Sequence, residues 1–163
     1  MTREAPLTEL PFGLPGKIFR SPMPFGTYDP TGIVYKEYKK NNISVIVLLA
    51  SVAECIQKAS KNLPDLYRKD GFQVIHLPIS DYSVPTKDDL GNALSMILEY
   101  AQKGQNIVIH CSAGIGRTGL FIACLARYIF TFSGEEAISW IRQFIPGAVE
   151  THEQRQMVKK YCA

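Results

Sequence analysis

Cysteine is scarce and scattered: positions 55, 111, 124 and 162 form no C-x-x-C pair. That spacing argues against a zinc ribbon or a disulfide framework, and a reducing cytoplasm is the simplest home for it. Long apolar runs are missing too. No window approaches the ~20 apolar residues of a membrane span, and the opening Met1-Thr2-Arg3-Glu4-Ala5-Pro6 lacks the apolar stretch of a secretory signal. A cytoplasmic chain without membrane contact is expected. Charge of one sign is absent as well, since 18 Lys and Arg against 15 Asp and Glu leave a formal +3. So small and dispersed an excess gives no footing for nucleic-acid binding, although it helps to attract anions. No repeat or linker interrupts the 163 residues, 46% of them apolar. A single domain over 1–163 follows, long enough to bury a substantial core.

The first 30 residues are crowded with Pro and Gly and read as irregular. Residues 1–16 form the arm proper, and a short strand is expected near Lys17-Ile18-Phe19. A helix over 31–41 precedes Ile43-Ser44-Val45-Ile46-Val47-Leu48-Leu49, a continuous β-branched run that suits a strand covered on both faces. Short helices over 52–61 and 64–69 lead to a strand from Phe72 to Leu77. Thr86 and Asp89 then make a capping pattern, with Leu90, Ala93, Leu94, Ile97, Leu98 and Ala101 following at helical spacing. Ile107-Val108-Ile109 is a third buried strand. Arg117 to Phe132 reads as an almost wholly apolar, central helix. Ser133 with Glu136, and Thr151 with Gln154, open two more helices, the first ending at Pro146-Gly147. Alternating strands and helices predict an α/β fold: one mostly parallel sheet with helices on both faces.

The chemistry lies in His110-Cys111-Ser112-Ala113-Gly114-Ile115-Gly116-Arg117-Thr118-Gly119, which joins a buried strand to a buried helix. A turn of this kind aims successive backbone N–H groups and the positive end of a helix dipole at one spot. Gly114 and Gly116 let the backbone curl into a concave anion nest. Cys111 stands at its mouth. A thiol so placed is expected to serve as a thiolate nucleophile. Arg117 adds a planar fork able to grip two phosphate oxygens.

This string resembles the signature of the protein tyrosine phosphatase superfamily: Cys, five residues and Arg, with His before and Ser or Thr after. The resemblance extends from about Pro15 to Tyr161, and the size suits the compact dual-specificity branch, for which a monomer is the default. It implies a metal-free and cofactor-free, two-step displacement through a thiophosphate on Cys111. Arg117 and the loop residues Ser112, Ala113, Gly114, Ile115 and Gly116 would bind the phosphoryl group. Thr118 would hydrogen-bond the sulfur as leaving group, and His110 would orient the loop. The superfamily's general acid is an aspartate about thirty residues before the cysteine. Asp81, in Ile79-Ser80-Asp81-Tyr82-Ser83-Val84-Pro85, meets that spacing (111 − 81 = 30). The segment from Pro146 to Gln154 resembles one in which polar residues line the pocket. Gln154 is the candidate to place the hydrolytic water, and Glu150 to contact substrate. Phosphorylated protein side chains are the expected substrates, phosphotyrosine and also phosphoserine or phosphothreonine. A phosphoinositide phosphatase, an RNA 5′-phosphatase and a phosphoprotein-binding module are the alternatives.

Overall fold

The computed structural model describes residues 6–161. Its strands are β1 (Thr8–Leu10), β2 (Ile18–Ser21), β3 (Ile43–Leu48), β4 (Gln73–His76) and β5 (Asn106–His110). The helices are α1 (Ile33–Lys40), α2 (Val52–Ala59), α3 (Leu63–Lys69), α4 (Lys87–Gln102), α5 (Gly116–Phe130), α6 (Gly134–Arg142) and α7 (His152–Lys160). One sheet has the order β1-β2-β5-β3-β4. Its last four strands are parallel, and β1 alone runs antiparallel, against β2. The expected single α/β domain with a mostly parallel sheet is the fold found.

The sheet is covered on both faces because its central strands carry unbroken apolar runs, Val45–Leu48 in β3 and Ile107–Ile109 in β5. Val45, Val47, Ile107 and Ile109 pack against α4, α5, α6 and α7. Ile46, Leu48 and Val108 point the other way, into a second core built with Val34, Tyr38, Cys55, Leu63 and Tyr67. Helix α5 is buried without a break from Gly116 to Ala126. That enclosure explains its near absence of polar residues. None of the described helices is long and apolar enough to cross a membrane.

The N-terminal arm departs from expectation. Thr8–Leu10 is a paired edge strand in register with Ile18–Arg20, and Leu10 is buried in the main core. Three residues, closed by Pro11, are too few to show period-2 alternation. Residues 1–5 of the arm lie outside the described residues. Two helices also end sooner than predicted. Helix α5 stops at Phe130, where Thr131 turns left-handed (φ +56°). Helix α6 stops at Arg142, four residues before Pro146, which disfavours helix in the residue ahead of it. The Arg142 guanidinium donates to Ala148 O (2.9 Å) and Val149 O (3.1 Å), holding the following turn so that Glu150 comes beside Gly116.

Strand β5 lies between β2 and β3, so the residues after His110 emerge at the C-terminal edge of three parallel strands. That edge is where open α/β sheets place their ligands.

Candidate active site

Cys111 follows β5 directly, and the chain curls once before α5 begins at Gly116. Thr118, in the first turn of α5, donates from Oγ1 to Cys111 Sγ at 3.1 Å. Ile115 precedes the helix and offers no side-chain cap. The first-turn amides are therefore left to the loop's cavity, the usual arrangement of an anion site. Gly114 is left-handed (φ +77°) and meets the backbone of Ser21 so closely that a Cβ would lie 2.4 Å from Ser21 O. Gly116 serves another purpose: a Cβ there would fall 2.5 Å from Glu150 Oε1.

Arg117 is buried, and its guanidinium is held along one edge. Nη1 donates to Glu54 Oε1 (2.8 Å) and to Ile79 O (2.9 Å), and Nη2 donates to Glu54 Oε2 (2.8 Å). A guanidinium has five N–H donors. With three engaged, Nε–H and the outer Nη2–H remain as the second edge of the fork, the geometry that grips two phosphate oxygens. Burial is the largest single influence and works against this charge, yet the Glu54 hydrogen bonds, with the negative charges of Cys111, Glu54 and Asp81, together raise the Arg117 pKa. The same hydrogen bonds lower that of Glu54, against the opposing effect of burial.

Asp81 stands at the mouth, with Oδ1 at 3.4 Å from Arg117 Nη2 and a side chain nearly half exposed. Its loop is fixed from several directions. Ile79 N donates to Leu49 O, Thr151 Oγ1 donates to Tyr82 O (3.2 Å), and Gln154 Nε2 donates to Ser83 O (3.3 Å). Gln154 is buried, and its Oε1 accepts from the Glu150 and Thr151 amides. Its amide thus links the start of α7 to the Asp81 loop. Glu150 is exposed, and its carboxylate abuts Gly116.

His110 lies behind the nucleophile. Its Nδ1 is 2.9 Å from Cys111 O, which can only accept, so the proton sits on Nδ1. Nε2 then accepts from Tyr67 O–H at 2.8 Å. Burial pulls the imidazole pKa from 6.5 down to about 4, so the ring is neutral at pH 7. Lys58 Nζ donates to Ser112 Oγ (3.0 Å) and to Glu54 (3.1 Å). Cys55 is buried beside Glu54, and burial pushes its thiol up to about 11, leaving it protonated. A groove of about 960 Å³ flanks the loop, lined in part by Tyr28, Ile33, Ala113, Ile115, Phe144 and Pro146.

All the predicted site residues converge here. Sequence reasoning missed Glu54, Lys58, Tyr67 and Arg20. Glu54 was hidden by its position, three residues after Ser51, whose hydroxyl accepts from the Glu54 amide as an ordinary helix cap does. Arg20 left a stronger signal: a charged side chain in the buried run Ile18-Phe19-Arg20-Ser21.

Residues 24–130 match the family described as "Polymorphic toxin system, DSP-PTPase phosphatase". The chain belongs to this family, and so to the dual-specificity-like part of the protein tyrosine phosphatase superfamily. It is 32% identical to dual specificity protein phosphatase CDC14A of Mus musculus over 126 residues, 77% of this chain and 19% of that protein. Over 101 residues it is 30% identical to protein tyrosine phosphatase domain-containing protein 1 of Danio rerio, 61% of this chain and 14% of that protein. The chain thus spans less than a fifth of either relative. The solved structure of Tk-PTP in its active form superposes with a TM-score of 0.76 at 29% identity, covering 90% of this chain and 91% of that one. A kinase-associated phosphatase with its catalytic-site cysteine replaced by serine shares the fold, with a TM-score of 0.86 at 23% identity over 98% and 96% of the two chains.

Proposed function

We propose that the chain hydrolyses phosphate monoesters on protein side chains, phosphotyrosine and also phosphoserine or phosphothreonine, through a thiophosphate on Cys111. The observation that carries this reading is the convergence on one loop of Cys111 Sγ, the Thr118 hydroxyl bonded to it and the open edge of the Arg117 fork. In the first step the S–P bond forms as the P–O bond to the leaving group breaks, and Asp81 gives that oxygen its proton. Arg117 and the loop amides bear the charge on the equatorial oxygens. In the second step Asp81 takes a proton from water as it attacks phosphorus. The S–P bond breaks, Thr118 steadies the departing sulfur, and inorganic phosphate leaves.

His110 orients the loop as a neutral ring. Gln154 acts by tying the Asp81 loop to α7, and Glu150, against Gly116, is the polar group placed to contact water or substrate at the mouth. The open groove beside Ala113 and Ile115 supports a peptide substrate, whose residues flanking the phosphate would have room there. The free thiols of Cys55, Cys111 and Cys124 support a reducing, cytoplasmic setting, and we take the working unit to be a monomer.

The test is hydrolysis of a small aryl phosphate in chelator by the wild type and by Cys111→Ser. Turnover that survives chelation and disappears in the variant is expected. No turnover by the folded, reduced wild type would overturn the proposal.

A further inference from the structure

The outward side of the catalytic loop is held by strand β2. Ser112 O accepts from Met23 N at 2.8 Å. Ala113 O accepts from Arg20 Nη2 at 3.0 Å. Gly114 O accepts from Arg20 Nη2 at 2.9 Å and from Nε at 3.1 Å. Three consecutive carbonyls therefore point toward β2 and its extension. In a planar trans peptide the C=O and the following N–H point in opposite directions. Fixing the carbonyls of Ser112, Ala113 and Gly114 outward thus turns the amides of Ala113, Gly114 and Ile115 inward, toward the anion nest.

Two of those three peptide planes are set by one side chain. Arg20 sits on β2 opposite Ile109 of β5, one strand away from the chain that carries Cys111. It is only 9% exposed. Its contact with the loop is direct, since a Cβ on Gly114 would come within 2.5 Å of Arg20 Nη2. Nη2 bridges the two neighbouring carbonyls while Nε grips Gly114 O a second time, a paired hold that suits a planar fork and not the single ammonium of lysine. Hydrogen bonds from a cation also polarise the peptide groups they hold, making the opposed N–H groups better donors.

We propose that Arg20 is a positioning residue of the phosphate loop: from behind, its guanidinium sets the direction of the Gly114 and Ile115 amides that receive the phosphoryl oxygens. This rests on the reading of the Cys111–Arg117 loop as a phosphate site. Arg20 also lines the groove beside Ala113, but its action on the phosphoryl group runs through the peptide planes. It differs in this from Arg117, which reaches the same site from within.

The experiment compares full-length wild type, Arg20→Met and Arg20→Lys. Three quantities are read: kcat and KM for an aryl phosphate, the dissociation constant for tungstate in a Cys111→Ser background, and thermal unfolding. Arg20→Met is expected to weaken tungstate binding at least tenfold and to lower kcat at least tenfold at temperatures where it remains folded. Arg20→Lys, which keeps the charge and loses the fork, is expected to recover less than a third of the lost binding. Should Arg20→Met fail to fold, Arg20→Lys alone decides, with a tenfold weaker tungstate affinity expected. Folded variants with wild-type kcat and tungstate affinity, whatever their melting temperature, overturn the proposal. If the wild type binds tungstate in an Arg20-dependent manner but hydrolyses no aryl phosphate, the catalytic reading fails and the role of Arg20 stands.

Discussion

The two carboxylate oxygens of Glu54 accept from the two terminal nitrogens of Arg117, each at 2.8 Å, and Asp81 Oδ1 lies 3.4 Å from the second of these, Nη2. Glu54 opens α2 and Arg117 opens α5, so the pair links opposite faces of the sheet through the catalytic centre. A buried arginine left to itself would swing or recruit water. Clamped in this way, it presents one fixed edge to the nest. Lys58, bonded to both Glu54 and Ser112, extends the clamp to the loop's first residue.

Glu54→Gln keeps the shape of the clamp and removes its charge. A displacement of Arg117 by about 1 Å is enough to cost roughly 10²-fold in rate. The expected outcome is a fall in kcat/KM of about that size on an aryl phosphate. Burial of the arginine without its bidentate charge partner should also cost about 3 kcal/mol of stability. Urea titration and steady-state kinetics at 15 °C check the two effects separately.

Asp81→Asn should reveal its role through the leaving group. With a poorly activated ester, such as an alkyl phosphate, loss of the proton donor is expected to lower kcat by ~10²–10⁴. With a strongly activated aryl phosphate, whose leaving oxygen needs little protonation, the loss should shrink to less than about tenfold. Equal losses on both esters would show that Asp81 supports the loop through its contact with Arg117 and does not deliver the proton.

The catalytic string was legible in the sequence because its chemistry is local. Cys111, Arg117 and Thr118 fall within eight positions, and the strand–turn–helix around them follows from apolar runs broken by glycine. The buried strands were equally plain, since both faces of β3 and β5 are covered. What escaped was the scaffold contributed from a distance. Glu54 lies 63 positions from Arg117, and Arg20 lies 94 from Gly114. Glu54 has a local pattern that a helix cap already satisfies, and Arg20 stands out as a charge beside an apolar run without any local sign of what it holds. Only the sheet order β2-β5-β3 brings them beside the loop. Strand β1 escaped for another reason: three residues closed by Pro11 carry too short a pattern to count.

His110 makes stability depend on pH. Its folded pKa, lowered by burial to about 4, lies below the ordinary 6.5, so the unfolded chain binds the extra proton between those values. The full stability is present above pH 6.5 and is lost as pH falls toward 4, by about 1.4 kcal/mol per unit within the window. Glu54, whose pKa is lowered by Arg117, adds its own loss only below the ordinary carboxylate range. Urea titrations between pH 4.5 and 7.5 should show this slope, and His110→Gln should flatten it by close to one proton.

Gly114 and Gly116 look alike in the sequence, and the structure separates them. At Gly114 the backbone is left-handed, and the atoms a Cβ would meet are Ser21 O at 2.4 Å and Arg20 Nη2 at 2.5 Å. Backbone cannot retreat, so Gly114→Ala should cost about 2 kcal/mol or more and lower kcat/KM by over about 100-fold as the amides turn away. At Gly116 the obstacle is the exposed end of Glu150, at 2.5 Å, which can rotate into solvent. Gly116→Ala should therefore stay within about 0.5 kcal/mol of wild-type stability. Its activity should fall less than about tenfold, to the level of Glu150→Ala, because each change removes the same carboxylate from the mouth. Parallel urea melts and kinetics on the three variants test this ordering. A Gly116→Ala as damaged as Gly114→Ala would show that Glu150 cannot move, and that its carboxylate is part of the loop's fixed frame.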